Sequence, residues 1–196
     1  MMDTRNVAIL VFDEVEVLDF CGPFEVFSVT GRQRQQAPFN VYTVAEKSGA
    51  VLARNQLSVN PRYTIADCPP PDVFVVPGGW GTRREMNNPK LIDWIKATAP
   101  KAELVLSVCT GALLLAKAGL LDGLKATTHR GALDLLREIA PKTEVLDGQR
   151  VIDNGKIIVS AGVSAGIDGA FHAVARLLGK AEAEETARYI EYDWRH

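Results

Sequence analysis

Cys109 stands where a sulfur nucleophile is easiest to use. Leu104-Val105-Leu106 reads as a buried strand, Thr110 to Ala118 reads as a helix stopped by Gly119, and Cys109 falls at the joint between them. Ser107 lies two positions before it and Gly111 two after. Small residues on both sides permit the tight, strained strand-to-helix turn that lifts a nucleophile above a sheet. Placed at a helix start, the thiol is expected to be acidified by the partial positive charge of the backbone N–H groups. The N–H groups of Thr110 and Gly111 lie at the same place, available to an anionic intermediate. The alternative is a packing cysteine, which is often buried, but strand, small neighbours and helix coincide here and favour chemistry. Cys21 and Cys68 lack such a setting and read as packing residues, although Cys21 is close enough to the first loop to line the same pocket.

That loop supplies an acid. Asp13, Glu14, Glu16 and Asp19 follow the first strand, Val7 to Phe12. Open α/β sheets bind ligands at this strand edge. The first three alternate with apolar residues as a solvated loop does, whereas Asp19 sits between Leu18 and Phe20, before Gly22-Pro23, which reads as a helix opening. It fits a proton shuttle and a helix N-cap about equally well. A third piece, Pro77-Gly78-Gly79-Trp80-Gly81, ends another strand; consecutive glycines can turn N–H groups toward a pocket, and a plain tight turn is the alternative. His129 fits either a base near Cys109 or a structural hydrogen bonder. His172 reads as packing beside Phe171 and Val174, Asp168 as a helix cap, and His196 is terminal. Three dispersed histidines without matched carboxylates argue against a catalytic metal, and no cofactor is expected.

Positioning these groups requires a sheet. Short β-branched runs at Val7 to Phe12, Val41 to Ala45, Val73 to Val76 and Leu104 to Leu106 alternate with helical patterns, the arrangement of a mostly parallel sheet covered by helices. Val51 to Val59 reads as a small hairpin. Glu144 to Ser160 reads as two or three short strands around an Asp153-Asn154-Gly155 turn, and Ala165 to Leu178 and Ala181 to Tyr192 read as helices. With 196 residues, no repeat and no boundary, one α/β domain over 1–196 is the economical description. With 22 Lys+Arg against 24 Asp+Glu, the net charge of −2 gives no support to a nucleic-acid surface. No apolar stretch is long enough to cross a bilayer and no signal-peptide pattern opens the chain, so a soluble cytoplasmic protein without membrane or nucleic-acid partners is expected. Three cysteines far from C-x-x-C spacing exclude a disulfide framework and a cysteine-rich zinc site.

Leu18-Asp19 with Gly22-Pro23, Pro77-Gly78-Gly79, Ser107 to Ala112, Ala126-Thr127-Thr128-His129 and Ser160 to Asp168 together resemble the ThiJ/PfpI family of the class I glutamine amidotransferase-like superfamily. The resemblance implies a flavodoxin-like three-layer α/β sandwich, commonly a homodimer, with the reactive cysteine at a nucleophile elbow beside an acid from the first loop. Thr110 stands where the peptidase-like branch has His, and Asp19 where the deglycase-like branch has Glu. The combination is similar to isonitrile hydratases and to sensing domains of certain AraC-type regulators. It implies a lyase that hydrates an isonitrile to an N-substituted formamide, with Cys109, Asp19 and Thr110 as the functional set. The N–H groups of Gly79 and Thr110 would face developing charge, and His129, Trp80, Phe20 and Cys21 would line the pocket. A non-catalytic ligand sensor and a glyoxalase-like or deglycase-like activity on small carbonyls are the alternatives. The chain ends soon after its last helix, which is expected to leave no room for a helix-turn-helix segment.

Overall fold

Every residue of Val7 to Leu10, of Val73 to Val76 and of Leu104 to Val108 is buried. Such unbroken apolar runs need cover on both faces, which a parallel sheet between two helical layers provides. A computed structural model describes residues 4–32 and 37–194; His196 lies outside the described residues. Strands in chain order are β1 (Arg5–Leu10), β2 (Phe39–Ala45), β3 (Val51–Leu52), β4 (Ser58–Val59), β5 (Tyr63–Thr64), β6 (Val73–Val76), β7 (Leu104–Val108), β8 (Lys125–Ala126), β9 (Glu144–Val145), β10 (Val151–Asp153) and β11 (Ile157–Ser160). Helices are α1 (Val17–Val29), α2 (Thr82–Glu85), α3 (Pro89–Thr98), α4 (Gly111–Lys117), α5 (Leu133–Ile139), α6 (Ala165–Leu178) and α7 (Lys180–Tyr189).

The main sheet runs β10-β11-β7-β6-β1-β2-β5, parallel throughout except for the β10–β11 hairpin. Its five longer parallel strands stand in the flavodoxin-like order, so β1 and β6 flank the point where the winding reverses, and loops beyond their C-terminal ends open a crevice. Val7 pairs with Val41 on one side and Val73 on the other. Helices α1, α6 and α7 pack together on one face, and α2 to α5 on the other. The α/β sandwich expected from the sequence is therefore the fold present.

The start of the first helix differs from the expectation. Helix α1 starts at Val17 and carries Pro23 inside it, where the Gly22-Pro23 pair was expected to open it. Pro23 lacks an N–H, and its i−4 carbonyl belongs to Asp19, so the loss falls in the first turn. Gly22 serves packing: a Cβ there would lie 2.8 Å from Ile167 Cγ1 on α6.

The hairpin β3–β4 lies off the main sheet and clamps the loop after β1. Glu14 N–H donates to Leu52 O at 2.7 Å, Arg54 N–H donates to Val15 O at 2.9 Å, and Arg54 pairs with the Glu14 carboxylate. Val15 in turn bridges to Gly79, which joins this loop to the glycine turn after β6.

Candidate active site

Cys109 follows β7 with φ at 55°, a left-handed backbone that residues other than glycine rarely adopt. Three bonds hold that turn. Its N–H is shared between the carbonyls of Ser160 at 3.2 Å and Ala161 at 3.1 Å, and Thr128 Oγ1 donates to its carbonyl at 2.8 Å. Helix α4 then leaves so close to β6 that a Cβ on Gly111 would sit 2.0 Å from Val76 O. The elbow expected at Ser107 to Gly111 is thus formed, and the thiol is left only 5% exposed.

Asp19 lies in the first turn of α1 and is fully buried. Its Oδ2 accepts the Gly78 N–H at 3.0 Å, while Oδ1 is buried without a hydrogen-bond partner. The helix N-cap position belongs to Glu16, so the capping alternative for Asp19 does not hold. Burial raises the Asp19 carboxyl from 3.8 to about 7, against the pull of the Gly78 N–H and the Cys109 thiol, and nearby Glu16 pushes it further up. Burial raises the Cys109 thiol to about 12, with the Asp19 charge adding to the rise and the N–H groups of Thr110 and Val163 opposing it. This reverses the acidic thiol expected at a helix start. Helix α4 spans only Gly111–Lys117, and its field does not outweigh the loss of water and a neighbouring carboxylate. The pair therefore holds at most one negative charge near neutral pH, and the carboxyl releases its proton first.

This has a consequence for stability. Between the ordinary carboxyl value of 3.8 and about 7, the folded protein keeps a proton on Asp19 that the unfolded chain has released. Stability therefore falls as pH rises through that window, and the full penalty of a few kcal/mol is present above it. Asp19→Asn should flatten the pH dependence of the thermal midpoint across this range. An unchanged slope in calorimetric scans would mean that another group titrates.

The glycine turn is used differently from expectation. Gly78 N–H is taken by Asp19, and Gly79 N–H donates to Thr110 Oγ1 at 2.9 Å. Neither faces an open pocket, so Gly79 holds the catalytic candidates and is not a free oxyanion donor. Lack of a side chain is what allows this: a Cβ on Gly78 would lie 2.4 Å from Thr110 N and 2.9 Å from Asp19 Oδ2. The N–H groups that oppose the rise of the Cys109 thiol are those of Thr110 and Val163. Val163, in the loop before α6, lies close enough for its N–H to pull the Asp19 carboxyl slightly down as well, and has φ at 52°, a genuine outlier for a β-branched residue. Sequence reading missed both Val163 and Thr82, whose hydroxyl lies 3.1 Å from Thr110 Oγ1.

His129 lies beside this loop: a Cβ on Gly162 would meet its ring at 2.5 Å. Its Nδ1 accepts the Gly131 N–H at 3.1 Å, the structural role given as one alternative. A cleft of about 390 Å³ is lined by Thr128, His129, Arg130, Arg150, Gly162 and Val163 among others; Cys109 is not in its wall, and Thr128 from that wall donates to the Cys109 carbonyl. Trp80 is 61% exposed with the Arg83 guanidinium over its ring, so it stands open to solvent and does not enclose a pocket. Phe20 is a core residue and Cys21 is half-buried on α1. Asp168 is no cap: it binds Arg150 and accepts from the Tyr192 hydroxyl at 3.1 Å, tying the start of α6 to the segment after α7. His172 is not packing either, since its Nε2 meets Asp153 Oδ2 at 2.7 Å on the surface. Among the described residues no three of His, Cys, Asp and Glu converge as metal ligands, and no helix is long and apolar enough to cross a membrane.

The family model described as the DJ-1/PfpI family matches residues 5–176. Isonitrile hydratase of Pseudomonas putida is 35% identical over 187 residues, which cover 95% of this chain and 78% of that protein. The HTH-type transcriptional regulator CdhR of Pseudomonas aeruginosa is 31% identical over 81% of this chain, which spans only 46% of the regulator. Among solved structures, a ThiJ/PfpI family protein from Pseudomonas syringae aligns with a TM-score of 0.88 at 30% identity, covering 100% of this chain and 78% of that one.

Proposed function

The chain belongs to the DJ-1/PfpI family, and on that premise we propose that it is a cysteine-dependent enzyme that adds water to an isonitrile, R–N≡C, giving the N-substituted formamide R–NH–CHO. The observation that carries this reading is the buried Asp19 carboxyl against the Cys109 thiol, with the Thr110 hydroxyl on the same turn. Similarity to the Pseudomonas putida isonitrile hydratase points the same way.

A thiol held near 12 attacks only if its proton leaves during the step, and the ionised Asp19 carboxylate is the base beside it. Asp19 accepts that proton as sulfur bonds to the terminal isonitrile carbon, then delivers it to the same carbon, leaving the thioimidate R–N=CH–S–Cys109. Water adds to the C=N carbon. Asp19 takes one proton of the water, the Thr110 hydroxyl gives its own proton to nitrogen, and Thr110 recovers it from the hydroxyl of the adduct as that group becomes the carbonyl. Collapse of the tetrahedral adduct expels the sulfur, Asp19 returns its proton to the thiolate, and the formamide departs. Substrate enters by the cleft along His129 and Val163. The acting form is a homodimer, to be checked by light scattering on the same preparation.

A second reading is favoured by the regulator among the relatives: the same site binds a small electrophile and reports it without turnover. Incubation with cyclohexyl isocyanide separates the two. The enzyme releases formamide over many cycles, while the sensor gives a stable mass adduct and no product. Product from methylglyoxal with none from the isonitrile would move the assignment to carbonyl chemistry.

A further inference from the structure

Val163 is a β-branched residue held at φ 52°, a strained conformation that persists only where the surrounding structure enforces it. It lies in the loop 161–164 between β11 and α6. Arg150, just before β10, grips that loop at both ends. Its backbone carbonyl accepts the Ala161 N–H at 2.9 Å, and the Ala161 carbonyl shares the Cys109 N–H with the carbonyl of Ser160. Its guanidinium crosses to the start of α6: Nε donates to Asp168 Oδ2 at 2.6 Å, Nη2 pairs with the same oxygen, and Nη2 also lies 3.4 Å from Ser164 Oγ. The Tyr192 hydroxyl donates to Asp168 Oδ1 at 3.1 Å and accepts from the guanidinium, so both carboxylate oxygens are engaged. Tyr192 is itself fixed by stacking on Phe171, with ring centroids 5.5 Å apart. The carbonyls of Gly162, Val163 and Ser164 accept the N–H groups of Ala165, Gly166 and Ile167, so whatever fixes the start of α6 fixes the loop.

We propose that Arg150 is a positioning residue: with Asp168 and Tyr192 it clasps the two ends of the loop and holds Val163 in its left-handed conformation, which keeps the Val163 N–H beside Cys109 and Asp19. The inference rests on the paired thiol and carboxyl and not on an isonitrile as the substrate. The Val163 N–H opposes the rise of both groups. Released from the clasp, Val163 relaxes toward extended backbone, its N–H turns away, and the Asp19 carboxyl climbs above about 7. Less of the base is then ionised at neutral pH. Among the described residues, Glu16 and Cys109 are the charged or titratable groups acting on Asp19, so the Arg150 charge is not the route.

Carbon NMR of the Asp19 carboxyl follows its titration in wild type, Arg150→Met and Asp168→Ala. The Arg150 side chain is half exposed, and methionine keeps its apolar stem. Loss of one backbone N–H should raise the midpoint by about half a pH unit in each variant. The two substitutions change net charge in opposite directions, so a field effect would move the midpoint up in the first and down in the second. Shifts of opposite sign, or none, would overturn the proposal. In a Val163→Gly background Arg150→Met should shift the midpoint less than half as much, because glycine adopts φ 52° without strain; an undiminished shift overturns the proposal as well. The NOE between the amide and α protons of Val163 is strong at positive φ and should weaken in both clasp variants, and an unchanged NOE would mean that the loop is held without Arg150. Should Asp168→Ala not fold, Tyr192→Phe removes one hydroxyl from the clasp at no change in charge, and its midpoint must also rise.

Discussion

Cys109→Ala should abolish formamide formation from cyclohexyl isocyanide, a loss of at least about four orders of magnitude in kcat/KM, because the covalent route has no substitute at that carbon. The fold should survive. Alanine at φ 55° is no more strained than cysteine, and removing one buried sulfur costs about 1 kcal/mol in lost packing, part of which is recovered when the charge conflict with Asp19 disappears. Electrospray mass after incubation with the isonitrile supplies the second reading: wild type should pass through an adduct of one substrate mass, and the variant should remain unmodified. A variant that makes formamide at the wild-type rate would remove Cys109 from the mechanism. A variant that is inactive but still gains the adduct would move the nucleophile to Cys21 or Cys68.

The largest expected loss of stability lies two residues further on. Gly111→Ala places a Cβ 2.0 Å from Val76 O, 2.9 Å from Val76 C and 3.0 Å from Pro77 O. All three are backbone atoms at the end of a central strand and cannot rotate away as a side chain does. Helix propensity alone predicts the opposite sign, since alanine gains about 1 kcal/mol over glycine inside a helix. The clash wins, because relief requires β6 to part from α4 in a close-packed core, and the net loss should be at least about 3 kcal/mol. Gly119→Ala is the natural comparison: nothing lies within 4 Å of its Cβ, and only the left-handed φ of 72° penalises it. It should cost about 1 kcal/mol. Urea midpoints measure both. Equal midpoints would show that α4 tilts freely away from the sheet and that the elbow is looser than its contacts imply.

Buried parallel strands were legible because each is a short apolar run, and the elbow was legible because small residues flank a cysteine where one such run meets a helix. Asp19 could be singled out from its acidic neighbours by its place between Leu18 and Phe20. What stayed hidden depends on groups that meet only after folding. Local sequence makes Gly79 an open N–H donor, but Thr110, 31 positions away, takes that N–H. Thr82 is an ordinary threonine until β6 and β7 set it beside Thr110. Val163 carries no glycine signal for its positive φ, and its N–H gains a target only when β11 lies beside β7. The acidity of Cys109 was misread because a helix start is a local feature, whereas the burial that outweighs it comes from the whole fold. Gly22-Pro23 misled for a related reason: Gly22 answers to Ile167 on a distant helix.

Segments that meet at Cys109 come from four places along the chain, joined by parallel pairings such as Val7 with Val73 and Leu106 with Ile158. Each pairing must close a long crossover before any contact rewards it, so assembly should be slow beside that of helical bundles. Shielding of the Cys109 sulfur requires the ends of β1, β6, β7 and β11 at once. Its alkylation by a pulse of thiol reagent during refolding is therefore a clock for arrival at the native topology, blind to partly collapsed chains in which any one of these crossovers is still open.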